Sequence, residues 1–238
     1  MDKKFCITLI VALVMLADVC FLKLYTDYSA DKKQIQHFDT IVSAVEDTAA
    51  NENKYANLYK QNKDFVGRIK VPDTNINYPV VQSKSNPDYY LNHNFKKEYS
   101  RFGVPFVQSD CDIETSDNII IYGHNMKNGT MFNDLVKYED RDFYEEHMLI
   151  YFDTLNSEDV YEIIAVYKTV ANSDNGFAFN EFVGAVNSEE FSSYVQKCKS
   201  LSLYNIGATA EYGDKLITLC TCEYSRNDGR LVVLAKKV

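Results

Sequence analysis

Eight short runs rich in β-branched and aromatic residues follow one another between residue 65 and the end of the 238-residue chain. Turn-forming residues separate the runs, and no regular alternation of strand and helix patterns connects them. The runs cover residues 65–71, 78–82, 104–108, 118–122, 148–152, 160–170, 215–222 and 230–237. Parallel strands need long crossovers, usually helical, so strands without that alternation favour antiparallel pairing. The pattern therefore predicts a mostly β domain, either a mostly antiparallel barrel or a sandwich.

Two helical patterns interrupt the strands. One covers about 130–138, and the other covers about 188–199 with Asn187 or Ser188 available as its N-cap. The second lies in a connection from about 171 to 200 that is longer than a typical loop. We therefore expect this connection to shape a binding surface.

The N-terminus carries an apolar run over residues 5–22, in which only Thr8 and Asp18 are polar. A helix of that length rises roughly 27 Å, enough to cross most of a bilayer core. Lys3 and Lys4 precede the run, so the positive-inside rule places the N-terminus in the cytoplasm. Residues 1–26 are therefore predicted to form a cytoplasmic tip and a transmembrane signal-anchor, with the rest of the chain outside. A cleaved signal peptide is the alternative, although no small-x-small cleavage site follows.

Residues 28–62 are polar, contain neither Gly nor Pro, and repeat apolar residues at helical spacing. This pattern predicts an amphipathic helix followed by a second helical stretch. We expect residues 27–62 to form a helical stalk or packing helices, and residues 63–238 to form the β domain.

Charge and cysteine usage exclude several classes of function. The formal net charge is -9 and no stretch gathers Lys and Arg with interleaved aromatics, so nucleic acid is not expected as a partner. The six cysteines show no paired CxxC motifs and no His at zinc-finger spacing. Neither a metal nor a cofactor is predicted.

Three residues together offer the chemistry of nucleophilic catalysis by cysteine, which needs a thiolate, a proton donor and a group that holds the oxyanion. Cys222 ends the apolar run ITLCTC, and His124 follows another such run in IIIYGHN. Arg230 opens the last strand eight residues after Cys222, so a tight connection would return it beside the cysteine. Each residue alone also has a purely structural explanation.

The local strings around these residues match a known family. TLCTC at 218–222 fits the TLxTC pattern of sortases, IIIYGHNM at 119–126 resembles the segment that carries their histidine, and GRLVVLAKK at 229–237 resembles their closing strand. The opening strands at 65–82 and YYLNHNF at 89–95 agree with this pattern. Over about residues 65–238, the chain resembles the class B sortases.

This resemblance implies an eight-stranded sortase-type β-barrel with helical insertions and an N-terminal helical segment. It implies a single-pass enzyme of the Gram-positive cell membrane whose catalytic domain is extracytoplasmic. Its partners would be surface proteins bearing a C-terminal sorting signal of the NPxTx or PxTG kind and an amine of a peptidoglycan precursor. Cys222 would be the nucleophile, His124 the acid/base partner and Arg230 the oxyanion or substrate-positioning residue.

Further residues and other functions remain open at this point. We expect Thr221, Glu223 and Asn92 to contact the substrate, and the backbone N–H of Glu223 is a possible second oxyanion donor. Arg226 competes with Arg230, and Cys220 should share a strand face with Cys222. The alternatives to a transpeptidase are a membrane-tethered thiol hydrolase or protease, and a non-enzymatic surface binding module.

Overall fold

Eight strands close into one barrel in the computed structural model, which describes residues 3–46, 55–170, 176–225 and 227–238. Around the barrel the order is β1-β2-β3-β4-β7-β8-β6-β5, and the pairing of β5 with β1 closes the barrel. The strands are β1 (Phe65–Lys70), β2 (Asn77–Val81), β3 (Phe106–Val107), β4 (Asn118–Tyr122), β5 (Leu149–Thr154), β6 (Glu158–Val170), β7 (Leu216–Cys222) and β8 (Gly229–Lys237). Each matches one of the eight predicted runs, and the predicted β-barrel is confirmed.

The barrel is mixed rather than wholly antiparallel. β2 pairs with β3 and β4 pairs with β7 in parallel, and the remaining neighbours are antiparallel. In the parallel pair β4–β7, the C-terminal ends of both strands lie at the same end of the barrel. Tyr122 and Cys222, the last residues of these strands, therefore lie at one rim.

The core follows from the composition of the central strands. The residues of β7 from Leu216 to Thr221 are all buried, as are Leu231–Ala235 of β8. Inward side chains fill the barrel, and helix α4 (Ser188–Leu201) packs outside against β6. Burying one Leu, Ile or Val side chain contributes about 1.5–3 kcal/mol, so these strands form a stable base for the loops at the rim.

The helices agree with the sequence in part. The remaining α-helices are α1 (Lys3–Glu46), α2 (Ala56–Gln61) and α3 (Arg141–Glu146), and short 3-10 helices cover Tyr89–Leu91, Asn133–Glu139 and Phe179–Glu181. Helix α4 begins as predicted, since the Asn187 side chain accepts a hydrogen bond from the Glu190 N–H at 2.9 Å.

The segment predicted as a helix over 130–138 begins later and is a 3-10 helix. Asn125 forms an isolated antiparallel bridge with Met131, and Met131 has a left-handed φ of 59°. Backbone in that conformation cannot start a right-handed helix, so the helix begins only at Asn133.

Helix α1 contains the apolar segment. Its stretch Leu9–Ala30 is long and apolar enough to cross a membrane, and it begins and ends later than the predicted run. The chain divides into two compact units, Met1–Ala44 and Val45–Val238. The predicted apolar and amphipathic helices form one continuous helix over Lys3–Glu46, and the predicted second helical stretch is present as α2.

Candidate active site

A cavity of about 370 Å³ opens at the rim where β4 and β7 end and β8 begins. Its walls contain Cys222, His124 and Arg230, so the fold brings the three predicted residues to one place. The full lining is Pro87, Asp88, Leu91, Phe106, Gln108, Ser109, Tyr122, Gly123, His124, Phe179, Asn180, Cys220, Thr221, Cys222 and Arg230.

Cys222 and Arg230 face each other across an antiparallel pair. They are direct partners in the register of β7 with β8, and directly opposed residues project from the same face of the sheet. Cys222 is half-buried. The Arg230 guanidinium donates through Nη1 to the carbonyls of Gly229 at 2.9 Å and Asp228 at 3.3 Å, and Arg230 lines the cavity.

His124 reaches the same place through the parallel pair. Tyr122, the last residue of β4, is level with Cys220, and the Gly123 N–H donates to the Cys220 carbonyl at 3.1 Å, so the chain leaves β4 beside the end of β7. Two hydrogen bonds hold the segment after β4 against the end of β7. The Thr221 hydroxyl donates to the Gly123 carbonyl at 2.7 Å, and Asn125 Nδ2 donates to the Cys222 carbonyl at 2.9 Å.

The glycine before the histidine permits this geometry. A Cβ on Gly123 would lie 2.6 Å from the Phe132 ring, so only glycine allows the chain to approach this closely. The Phe132 N–H in turn donates to the His124 carbonyl at 2.9 Å. Packing against Phe132 thus explains why a glycine precedes His124 in the YGHN string.

The imidazole of His124 has a backbone partner that no sequence pattern indicated. Its Nε2 lies 2.7 Å from the Leu91 carbonyl oxygen, and a carbonyl can only accept, so Nε2 carries the proton in this bond. Nδ1 is then the nitrogen at which a proton can be exchanged. Leu91 ends the 3-10 helix Tyr89–Leu91, whose Tyr90 side chain is anchored by hydrogen bonding to Asp64 at 2.7 Å.

The additional substrate-contact candidates have different positions. Thr221 lines the cavity, but its hydroxyl is engaged with Gly123. The Glu223 N–H donates to the Gly229 carbonyl at 2.9 Å, so it is not free to hold an oxyanion, contrary to our expectation. Asn92 is exposed and is not part of the cavity wall, where its neighbour Leu91 lies instead. Arg226 is outside the described residues.

The two cysteines at the rim differ in environment. Cys220 lines the cavity on the same face as Cys222, as the two-residue period predicts, and both thiols are free. Burial raises the pKa of Cys220 to about 12, although the charge of Arg230 acts in the opposite direction. Cys220 is therefore a neutral thiol at neutral pH, which leaves the more accessible Cys222 as the candidate nucleophile.

The carboxylate of Glu223 stabilises the turn that follows Cys222. It accepts hydrogen bonds from the Ser225 N–H at 2.7 Å and the Ser225 hydroxyl at 2.6 Å, and it pairs with Lys168 at 3.5 Å. Burial raises the pKa of Glu223, but the hydrogen bonds and the Lys168 charge outweigh it and lower the pKa below the usual 4.5. The negative side chain is thus engaged by Ser225 and Lys168, and Glu223 is not among the described residues that line the cavity.

We expect the Glu223 carboxylate to stabilise the folded protein less as the pH falls. A group whose pKa is lower in the folded state stabilises the fold above the pKa of the unfolded state, and that contribution is lost as the pH falls through the folded value. In thermal unfolding between about pH 6 and pH 3, Glu223→Gln should therefore lose less stability than the parent. The exposed Glu211→Gln is the control and should follow the parent. A constant difference in Tm between Glu223→Gln and the parent across this range would contradict the prediction.

Two histidines outside the cavity have structural partners. Among the described residues, no group of three or more His, Cys, Asp or Glu side chains could hold a metal ion. His93 and His147 each stack on an aromatic ring, of Tyr89 and Phe143 respectively, and each bonds through Nδ1 to a backbone carbonyl. These two histidines have structural roles outside the cavity.

Known proteins are similar to this chain in sequence and in fold. A sequence model of the sortase domain matches residues 69–238. Sortase B of Listeria monocytogenes is 38% identical over 211 residues, covering 87% of this chain and 82% of the relative. Sortase B of Staphylococcus aureus is 31% identical over 242 residues, covering 98% of this chain and 97% of the relative.

Solved structures agree with the sequence comparison. A Staphylococcus aureus sortase B–substrate complex superposes with a TM-score of 0.79 at 29% identity, covering 87% of this chain and 97% of that chain. The match therefore includes the barrel and not only the strings around the cysteine and histidine. The chain belongs to the sortase family of cysteine transpeptidases, as a class B sortase.

Proposed function

We propose that this sortase cleaves a C-terminal sorting signal after a threonine, with Cys222 as the nucleophile, and transfers the protein to an amine of a peptidoglycan precursor. One observation carries the proposal: a thiol, an imidazole and a guanidinium from three different segments line a single cavity at the barrel rim. This set supplies the nucleophile, the proton carrier and the oxyanion partner that acyl transfer requires.

In the first half of the reaction, the Cys222 thiolate attacks the threonine carbonyl and forms a tetrahedral oxyanion. Arg230 is permanently cationic and has donors beyond those used by Gly229 and Asp228, so it stabilises this charge without a change of protonation. His124 gives a proton from Nδ1 to the leaving amine as the C–N bond breaks. The products are a thioacyl enzyme and the released C-terminal peptide.

In the second half, the acceptor amine attacks the thioester. His124 takes a proton from the attacking nitrogen at Nδ1, and Cys222 leaves as thiolate. The bond between Nε2 and the Leu91 carbonyl is available throughout, because Nε2 stays protonated in both states of the ring. Leu91 thus orients the imidazole as a carboxylate does in other catalytic triads.

The sorting signal is proposed to be of the NPxTx or PxTG kind and to bind between two walls of the cavity. One wall contains Pro87, Asp88 and Leu91, and the other contains Phe179 and Asn180. The second wall belongs to the long connection that the sequence predicted to shape a binding surface. Thr221, Glu223 and Asn92 stay predictions as substrate contacts.

We also propose that residues 1–26 anchor the enzyme in the membrane and that residues 63–238 act outside the cytoplasm, with 27–62 between them. The apolar stretch Leu9–Ala30 and the two lysines before it support this arrangement. Helix α1 is continuous across residue 26, so the proposed boundary marks a change of surroundings rather than a break in the helix.

Incubation of the full-length enzyme in detergent with a library of candidate peptides tests the proposal. Intact-mass spectrometry should detect a thioacyl adduct with threonine-containing signals only, and adding an amine acceptor should convert the adduct to ligated product. Adduct formation without any gain in ligation would favour the thiol hydrolase. Failure of every peptide and of a thiol reagent to modify Cys222 would favour a binding module.

The hydrogen bonds of Asn125, which we call the Asn125 clamp, yield a further prediction. Asn125 donates to the Cys222 carbonyl and accepts from Asn133 Nδ2 at 2.7 Å. Asn125→Asp keeps the shape but replaces the donor by an oxygen that repels the Cys222 carbonyl. Since small displacements of reacting groups are costly, we expect kcat to fall about 10- to 100-fold, measured by peptide ligation.

The control for this variant is Asn128→Asp, which introduces the same charge three residues away on an exposed position. Its oxygen accepts from Thr130 N and Thr130 Oγ1, and both bonds survive the change. Equal rates for the two variants would show that the clamp does not position the reacting groups.

A further inference from the structure

One side chain joins the end of β3 and β4 to another part of the cavity wall. Gln108 follows β3 directly and lines the cavity together with Tyr122 of β4. The part of the wall that it reaches is the 3-10 helix Phe179–Glu181, about seventy residues further along the chain. In the described part of the chain, Gln108 is the cavity-lining residue whose side chain bonds to that wall.

The amide of Gln108 uses both of its N–H donors and one acceptor position of its oxygen. Its Oε1 accepts from the Tyr122 hydroxyl at 2.6 Å, and its Nε2 donates to the Asn180 carbonyl at 2.8 Å and to Asp110 Oδ1 at 2.8 Å. An amide has two N–H donors, and both have a partner here. This arrangement also fixes which end of the amide is nitrogen, because only N–H groups satisfy two acceptors.

The backbone of Gln108 is held firmly in the barrel. Its N–H donates to the Ile120 carbonyl at 2.9 Å, and its carbonyl accepts from Gln82 Nε2 at 2.8 Å. The wall is held from behind as well, because Asn118 Nδ2 donates to the Phe182 carbonyl at 2.9 Å and the Tyr194 hydroxyl donates to the Phe179 carbonyl at 3.4 Å. Among the described contacts, Gln108 supplies the side-chain bond that holds the wall from the cavity side.

We propose that Gln108 is a positioning residue that sets the width of the cavity and thereby the fit of the sorting peptide. The inference rests on the proposed function for the identity of the peptide, but the tether itself does not depend on it. Gln108 has no bond to Cys222, His124 or Arg230 among the described contacts, so its effect should fall on peptide binding rather than on the chemical step.

Gln108→Glu tests the tether with a nearly isosteric change. Both donors are lost, and a carboxylate oxygen then faces the Asn180 carbonyl and the Asp110 carboxylate, so the wall is pushed away. We expect the KM for the sorting peptide to rise about ten-fold, with kcat and the rate of Cys222 alkylation by iodoacetamide unchanged. Gln196→Glu, on an exposed position of α4, is the matched control and should leave all three values unchanged.

A second change should restore part of the loss. Asp110→Asn in the Gln108→Glu background removes one repelling carboxylate and supplies an N–H donor to the new one, so the KM should fall back toward the parent value. Hydrogen–deuterium exchange of residues 177–182 in the full-length protein should be faster in Gln108→Glu and slower again in the double variant. This measurement does not require activity.

Two results would overturn the proposal. One is a peptide KM and an exchange rate in Gln108→Glu that equal those of Gln196→Glu. The other is a parallel fall of kcat and alkylation rate, which would mean that the change disturbs the reacting groups themselves. A parent enzyme that forms no thioacyl adduct with any sorting peptide contradicts the proposed function instead, and the exchange experiment still decides whether the tether exists.

Discussion

Cys222→Ala should abolish transpeptidation and leave no thioacyl adduct, while the barrel stays folded. The side chain is half-buried at the end of β7, so losing one sulfur atom creates little cavity, whereas the reaction loses its nucleophile. No neighbouring group can substitute, because burial keeps the thiol of Cys220 neutral. The measurements are peptide ligation, intact-mass detection of the adduct and thermal unfolding.

The control for Cys222→Ala is Cys20→Ala, which removes an exposed thiol in α1 and should leave ligation unchanged. Ligation by Cys222→Ala above about one per cent of the parent rate would contradict the assignment, since removing a covalent nucleophile costs several orders of magnitude. An adduct on Cys220 in that variant would identify the alternative nucleophile.

Arg230→Met should lower kcat/KM by about 10²- to 10³-fold, the loss expected when one donor to a developing oxyanion is removed. Methionine preserves much of the aliphatic packing of the arginine stem on β8 but has no charge and no N–H. Arg230→Lys should recover only part of the rate, because an ammonium keeps the charge but lacks the planar set of donors. Steady-state ligation assays of the three proteins provide the comparison.

Arg141→Met is the control for this series, since Arg141 is exposed on α3 and pairs with Glu145 at 2.8 Å. Its rate should equal that of the parent. If Arg230→Met retained full activity and Arg226→Met lost it, the oxyanion role would belong to the loop arginine. If both variants stayed active, the tetrahedral intermediate would need no guanidinium.

The strands were predictable because a strand is a local pattern. Runs such as NIIIY at 118–122 and KLITLCTC at 215–222 contain enough β-branched and aromatic residues to identify β4 and β7 within a residue or two. Pairing is not local, and nothing in either run indicates that β4 and β7 are parallel neighbours. The prediction of mostly antiparallel pairing missed this pair, which is the one that brings His124 to Cys222.

The substrate-contact predictions show the same limit. Glu223 was a reasonable donor by its position after Cys222, but the ladder with β8 uses its N–H. Asn92 stays a prediction as a substrate contact, whereas the contact of the neighbouring Leu91 carbonyl with His124 was not predicted. Every residue has a backbone carbonyl, so no residue type in the sequence marks the one that contacts His124.

The amino-acid sequence alone determined which residue types are available for chemistry and where each strand runs, because thiol, imidazole and guanidinium groups and β-branched runs are properties of single segments. Only the tertiary structure decided that Leu91 holds the imidazole, that Gln108 bonds to Asn180 across the cavity rim and that the Glu223 N–H pairs with Gly229. The physical reason is that these contacts join residues far apart in the chain, and their geometry exists only after the barrel has closed.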